Sequence, residues 1–234
     1  MDKERLLFQR RHIQARYNPA ALIFDKGPAL ANKLSDSYPQ MSRQGDGSQW
    51  QLSNSPEFKR LQYSLTQAEL NQEEKQDIGA FSRESVKALS IVTEMLDVSA
   101  YVRLGLVQVA LVPGPPLNES LAVFKDKLFN KNLTSTNAPL TWLSDVAIVL
   151  DFKDVHWGGR MQFGPYDADT NKTLFEFKAA PSVKDHVGGF VFWCDFWKSG
   201  ALPITEVSRF IAEATEHTTG MIEHVMGIVG GDLE

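Results

Sequence analysis

The chain has 234 residues, of which 43% are hydrophobic and 10% aromatic, enough to bury a full core as one large domain or two small ones. Charged residues make up 23%, the net charge is −5, and no block of five like charges occurs, so the charge points to no partner class. The single cysteine excludes an intramolecular disulfide and a thiolate zinc cluster and makes the cytoplasm the expected location; no apolar run reaches the roughly 18 residues of a membrane helix, and the opening MDKERLLFQRRHIQARY lacks a signal-peptide core.

From Arg11 to Tyr17, polar His12, Gln14 and Arg16 alternate with apolar Ile13, Ala15 and Tyr17, the period of a half-buried strand that Asn18-Pro19 stops. A short helix fits Ala20 to Leu34, with Gly27-Pro28 expected at its start. Turn residues between 42 and 56 surround Trp50 and Leu52 and predict a hairpin whose second arm runs from Phe58 to Thr66. The polar QAELNQEEKQD at 67–77 reads as a solvated connection or a helix lead-in. Ile78, Phe81, Ser85, Leu89, Val92 and Leu96 recur at helical spacing. Tyr101 to Val112 is a near-continuous apolar run suited to a central strand covered on both faces, and Pro113-Gly114-Pro115-Pro116 is expected to end it.

Asn118 is the expected N-cap of a helix through Phe129, followed by a loop over 130–139. From Asp145 to Trp197 the pattern is an antiparallel meander: Val146 to Phe152, Arg160 to Phe163, Thr173 to Lys178 and Phe190 to Trp197, with glycine pairs and Asp/Asn clusters as turns. Pro203 opens the clearest helix, in which Ile204, Val207, Ile211, Ala214, Thr218, Met221, Val225 and Val229 form one apolar stripe. The fold class is therefore α+β, a largely antiparallel sheet with helices packed on one side. The element order suggests one domain over 1–234 composed of two β-α-meander-α halves, 1–100 and 101–234.

The stretch GGFVFWCDFWKSG at 188–200 reads as a strand, with Phe190, Phe192, Cys194 and Phe196 on one face and Val191, Trp193, Asp195 and Trp197 on the other. No cation lies nearby in sequence to lower the Cys194 pKa, so the cysteine is expected to act as a small core hydrophobe rather than a nucleophile. The opposite face, with Trp193, Asp195 and Trp197, is a candidate surface for a partner.

Glu213, His217 and His224 share one flank of the last helix, but a catalytic zinc needs a third ligand that the sequence does not nominate, so half-buried imidazoles beside the apolar stripe are the preferred reading. Asp167, Asp169 and Asn171 resemble the start of a calcium loop, yet the sixth and twelfth positions are Lys172 and Lys178, so hairpin-turn chemistry is expected there. No GxGxxG, P-loop, GxSxG or HExxH pattern occurs, and no catalytic, cofactor or metal residue is nominated. Lys3, Arg5, Arg10, Arg11 and Arg16 make the first segment basic, and Arg10, Arg11 and Arg16 join the partner-binding candidates. Nucleic-acid binding there is disfavoured because Asp2 and Glu4 dilute the charge of an acidic chain.

Three stretches, IQARYNP at 13–19, YVRLGLVQVALVP at 101–113 and FVFWCDFW at 190–197 before a histidine-bearing helix, resemble a sporadically distributed bacterial family of uncharacterised proteins of about this length. Arg103-Leu104-Gly105 is the most family-like detail, while Val107 and Ala110 stand where the family usually has arginine and asparagine. The resemblance implies a fold and a bacterial or phage origin, and carries no catalytic residues. The expectation is a non-catalytic protein-binding or assembly protein, acting on a protein partner or as a homo-oligomer, with no cofactor and no membrane. The alternatives are an enzyme using Asp151, Asp154, His156 and Asp195, and a nucleic-acid binder using the basic N-terminal segment.

Overall fold

The computed structural model describes residues 6–73, 77–129, 144–167 and 186–229. Strands β1 (Leu7–Arg16), β2 (Gln40–Arg43), β3 (Gln49–Asn54), β4 (Lys59–Ser64), β5 (Gln67–Glu73), β6 (Tyr101–Pro116), β7 (Ile148–Lys153), β8 (Trp157–Pro165) and β9 (Gly188–Leu202) form one sheet. The described α-helices are α1 (Ile23–Lys33), α2 (Ile78–Met95), α3 (Leu117–Leu128) and α4 (Val207–Val229), with short 3-10 turns at Ser55–Glu57 and Ile204–Glu206. The fold is α+β. The sheet order is β2-β3-β4-β5-β1-β6-β9-β8-β7, with antiparallel pairing throughout. Counted outward from β1 the order is β1-β5-β4-β3-β2, and from β6 it is β6-β9-β8-β7. Each half thus places its opening strand centrally, beside its last one, and β1 pairs with β6 where the halves meet.

Register explains why the helices stay on one side. Met41, Leu52, Leu61, Leu70, Ile13, Leu106, Phe196, Gly159 and Phe152 pair in succession across all nine strands and form an apolar row on one face. The apolar sides of the helices, such as Phe81, Leu89 and Val92 of α2 and Phe210, Ile211 and Ala214 of α4, belong to the same buried cluster. Phe192 and Phe163 stack at 5.7 Å within it, and Cys194 is fully buried.

Several expectations change in the structure. Residues 67–73 form β5, because Ala68 and Leu70 point into the core between β4 and β1 while Gln67, Glu69, Asn71 and Glu73 serve the other face. Gly27-Pro28 lies inside α1 rather than at its start. The Trp50 ring occupies the space a side chain at position 27 would need, and Tyr63 donates its hydroxyl to the Gly27 carbonyl at 3.0 Å. The prolines after Val112 do not end β6, which continues through an irregularity to Pro116 against Gly188 and Gly189. Pro116, not Asn118, caps α3, without a side-chain hydrogen bond. The segment 130–139, the strand at Thr173 to Lys178, and Asp169, Asn171, Lys3 and Arg5 lie outside the described residues.

Candidate partner-binding face

The face of the sheet turned away from the helices carries the opposite parity of every strand. One row crosses the sheet as Gln40, Ser53, Arg60, Asn71, His12, Val107, Asp195, Arg160 and Asp151, each residue paired with the next. The row beside it runs Gln62, Glu69, Gln14, Gly105, Trp197, Gly158 and Lys153. On the other side of the first row, Arg10, Val109, Trp193, Gln162 and Val149 are paired in the same way. The first-half strands therefore supply glutamine, serine and arginine, and the second half supplies the two indoles.

Trp197 stands between two glycines. Its indole lies on the backbone of Gly158, in the space a side chain there would fill, and the Arg103 guanidinium sits 4.8 Å from its ring centre. Arg103 also reaches Asp195, with Nη2 and Oδ2 3.9 Å apart. Both are part-buried, Arg103 at 26% and Asp195 at 21% exposure. Burial pushes the Asp195 carboxyl above the usual carboxylate range even though Arg103, His12, Arg16 and Arg160 all pull it down. Desolvation likewise lowers the Arg103 guanidinium, with Asp195 opposing and Arg16 adding to the shift.

Around this pair lie two hollows. One, of about 370 Å³, is lined by Arg103, Asp151, Arg160, Trp193, Asp195 and Trp197 among others. The other, of about 180 Å³, is lined by His12, Gln14, Arg16, Arg103, Val107 and Asp195 with Gly105 at its floor. Asp195 and Arg103 border both. Towards β5 the face is held by hydrogen bonds: Gln14 donates to Glu69 at 2.5 Å, Arg10 to Asn71 at 2.9 Å, and Arg16 to Gln14 at 2.6 Å. His12 Nε2 lies 3.4 Å from Glu69. Burial pushes the Glu69 carboxyl up, but His12, Gln14 and Arg60 together hold it below its ordinary value. Towards the sheet edge, Arg160 binds Asp151 through two nitrogens at 2.7 and 3.2 Å.

No known protein family and no curated protein matches the chain. The chemistry of this face must therefore be read from its own residues.

Of the partner-binding candidates, Trp193, Asp195, Trp197, Arg10 and Arg16 come together on this open face. Arg11 does not join them. It has the parity of Ile13, pairs with Gln72 and Gln108, and is 6% exposed on the helix-covered face. Burial lowers its pKa to about 10, partly offset by the charge of Asp77. The acid and histidine residues considered for an enzyme are dispersed. Asp151 and Asp195 border one hollow, whereas Asp154 accepts from the backbone of His156 and Trp157 at 2.6 and 2.7 Å to shape a turn. His156 faces a different hollow beside Trp157 and His217. Glu213 is bound by Lys198 and Arg209, and His217 rests against the Trp157 ring at 4.9 Å. Among the described residues no group of three or more side chains is arranged to hold a metal, and no helix is long and apolar enough to cross a membrane.

Sequence reasoning passed over Arg160, His12, Glu69, Gln14 and Gly158 as members of the site. Alternation gives each of them a face within its own strand. Only the pairing of β8 with β9 and of β1 with β6 sets them beside Asp195.

Proposed function

We propose that this chain is a non-catalytic binding protein of bacterial or phage origin, working in the cytoplasm, whose open sheet face seats a protein partner. One observation carries the reading. Among the described residues the sheet is a single layer covered by helices on one side, and on its other side the Trp193, Trp197, Arg103 and Arg160 side chains stand on three adjacent strands with Asp195 at their centre. Tryptophan and arginine are the residues most enriched among the energetic anchors of protein interfaces. Strands hold them rigidly, so little side-chain freedom is lost on docking. The Trp197 indole, braced between Gly158 and Arg103, is already ordered before any partner arrives.

The test is capture from host extract followed by cross-linking from the face. The wild-type chain and a Lys26→Glu control on exposed helix α1 should retain the same protein, and Trp193→Glu should lose it. A cross-linker placed at Gln162, beside Trp193, should join the captured protein. Capture that survives Trp193→Glu, or adducts that form only from the helix side, would overturn the reading.

A further inference from the structure

Resting on that reading, we propose that the partner presents an acidic side chain, an aspartate or a glutamate, to the paired hollows around Asp195, where Arg103, Arg16 and Arg160 receive it. The first argument is charge. The whole chain carries −5, yet the open face gathers Arg10, Arg16, Arg60, Arg103, Arg160 and Lys153 on neighbouring strands. Asp195 stands at the shared wall of the two hollows among Arg103, Arg16, Arg160 and His12, with Asp151 beside Arg160 and Glu69 beside His12 further out. Strands lie about 5 Å apart, inside the roughly 8 Å screening length at physiological salt, so each of these cations acts on a group entering beside it on the neighbouring strand.

The second argument is an unmet hydrogen bond. The Arg103 Nε is buried and has no hydrogen-bond partner among the described residues, and the Nη2 contact to Asp195 at 3.9 Å is an ion pair rather than a hydrogen bond. A donor on a charged group left unsatisfied in a partly dry place is costly, and a carboxylate entering the hollow supplies the acceptor. Arg160 is committed to Asp151 at the exposed rim, where an incoming carboxylate competes on nearly equal terms.

The same observations choose between an acidic protein segment and a nucleic acid. Glu69, Asp195 and Asp151 interrupt the cations across the face, so a phosphate backbone with a charge at every nucleotide would meet carboxylates as well as arginines. Base stacking needs a free ring face, and the Trp197 ring has Gly158 on one side and Arg103 on the other. A protein strand or loop carrying a single acidic residue between neutral ones fits the alternation instead. The hollows, about 370 and 180 Å³, have room for one side chain each.

The experiment is fluorescence anisotropy of a labelled twelve-residue Gly/Ser peptide carrying spaced glutamates. Its glutamine counterpart and a twelve-nucleotide oligo-dT serve as competing probes. The glutamate peptide should bind most tightly, weaken steeply between low and physiological salt, and lose about tenfold or more in affinity with Arg103→Gln and with Arg16→Gln. Arg103→Lys should bind in between, because it keeps the charge and loses the fork. Circular dichroism establishes that each variant is folded. Equal binding of the glutamine peptide, tighter binding of oligo-dT, or wild-type affinity in both arginine variants would overturn the proposal. Should the Trp193-dependent partner be captured while the glutamate peptide is ignored, the acidic occupant is wrong and the binding face stands. Should capture be indifferent to Trp193→Glu, the face itself is wrong.

Discussion

The indole of Trp197 fills the place of the side chain that Gly158 lacks, so the two residues, paired across β8 and β9, share one volume. A methyl added at 158 would run into Cε2, Cζ2 and Nε1 of the ring. Gly158→Ala is therefore expected to lift the indole from the sheet and part it from Arg103, at a cost of about 1–3 kcal/mol for an overpacked site. Intrinsic fluorescence should shift to the red. Gly105→Ala, on the other flank of Trp197, is the control: its nearest neighbours lie at 3.9 Å, ordinary contact, so the emission should not move. Identical spectra for the two variants would contradict this packing.

Cys194 lies in the core with 0% exposure, and burial pushes its thiol up to about 12. Only the thiolate attacks, and there is neither thiolate nor access in the folded state near neutral pH. Labelling by an aromatic disulfide reagent at pH 8 should follow opening of the protein and accelerate with urea in step with unfolding. Labelling within seconds in native buffer would contradict the assignment of Cys194 to the core.

Glu69 and Asp195 make opposite contributions to the pH dependence of stability. The folded-state pKa of Glu69 lies below its unfolded value near 4.3, so its contribution is present above that pH and disappears as the pH falls through the folded value. Glu69→Gln should flatten the acid side of the stability curve. Asp195 has a raised folded pKa, so the folded protein holds that proton more tightly. Its effect is a penalty that sets in as the pH rises above about 3.9 through the folded value. Asp195→Asn should therefore be neutral or stabilising at pH 7 and without effect near pH 3, as read from urea midpoints across pH. Strong destabilisation by Asp195→Asn at pH 7 would contradict the sign.

Lys198 joins β9 to the start of α4. Its ammonium lies 3.2 Å from Glu206, 2.6 Å from Glu213 and 4.7 Å from the Trp157 ring centre, at 12% exposure. Removing the cation leaves two carboxylates facing each other in a partly dry place. Lys198→Met should cost about 2 kcal/mol, between the values for an exposed and a buried pair. Arg209→Met, whose cation is 70% exposed beside the same two acids, should cost far less, because solvent screens that pair. Equal costs in urea unfolding would show that burial is not what distinguishes the two.

Much of the frame was legible locally. The alternation in β1 and β9 and the spacing in α2 and α4 record burial of one side of each element, a property of neighbouring residues. β5 is hidden in the sequence because Gln67, Glu69, Asn71 and Glu73 look like a solvated stretch, although Ala68 and Leu70 between them meet the core. Gly27-Pro28 looks like a boundary because glycine next to proline commonly is one, whereas here the glycine makes room for Trp50.

By itself the sequence determined which side chains of each strand travel together: Trp193, Asp195 and Trp197 on one face of β9, and Phe190, Phe192 and Cys194 on the other. It also determined, through the apolar stripes of the helices, that one face of a sheet would be covered. Only the tertiary structure decided that β1, β6, β9 and β8 lie side by side, which brings His12, Val107, Asp195 and Arg160 into one row. It also decided that Arg11 goes under the helices while Arg10 and Arg16 stay out. The reason is range: periodicity is set by adjacent residues along the chain, but strand order and register are set by pairings between residues far apart in sequence, which no local pattern encodes.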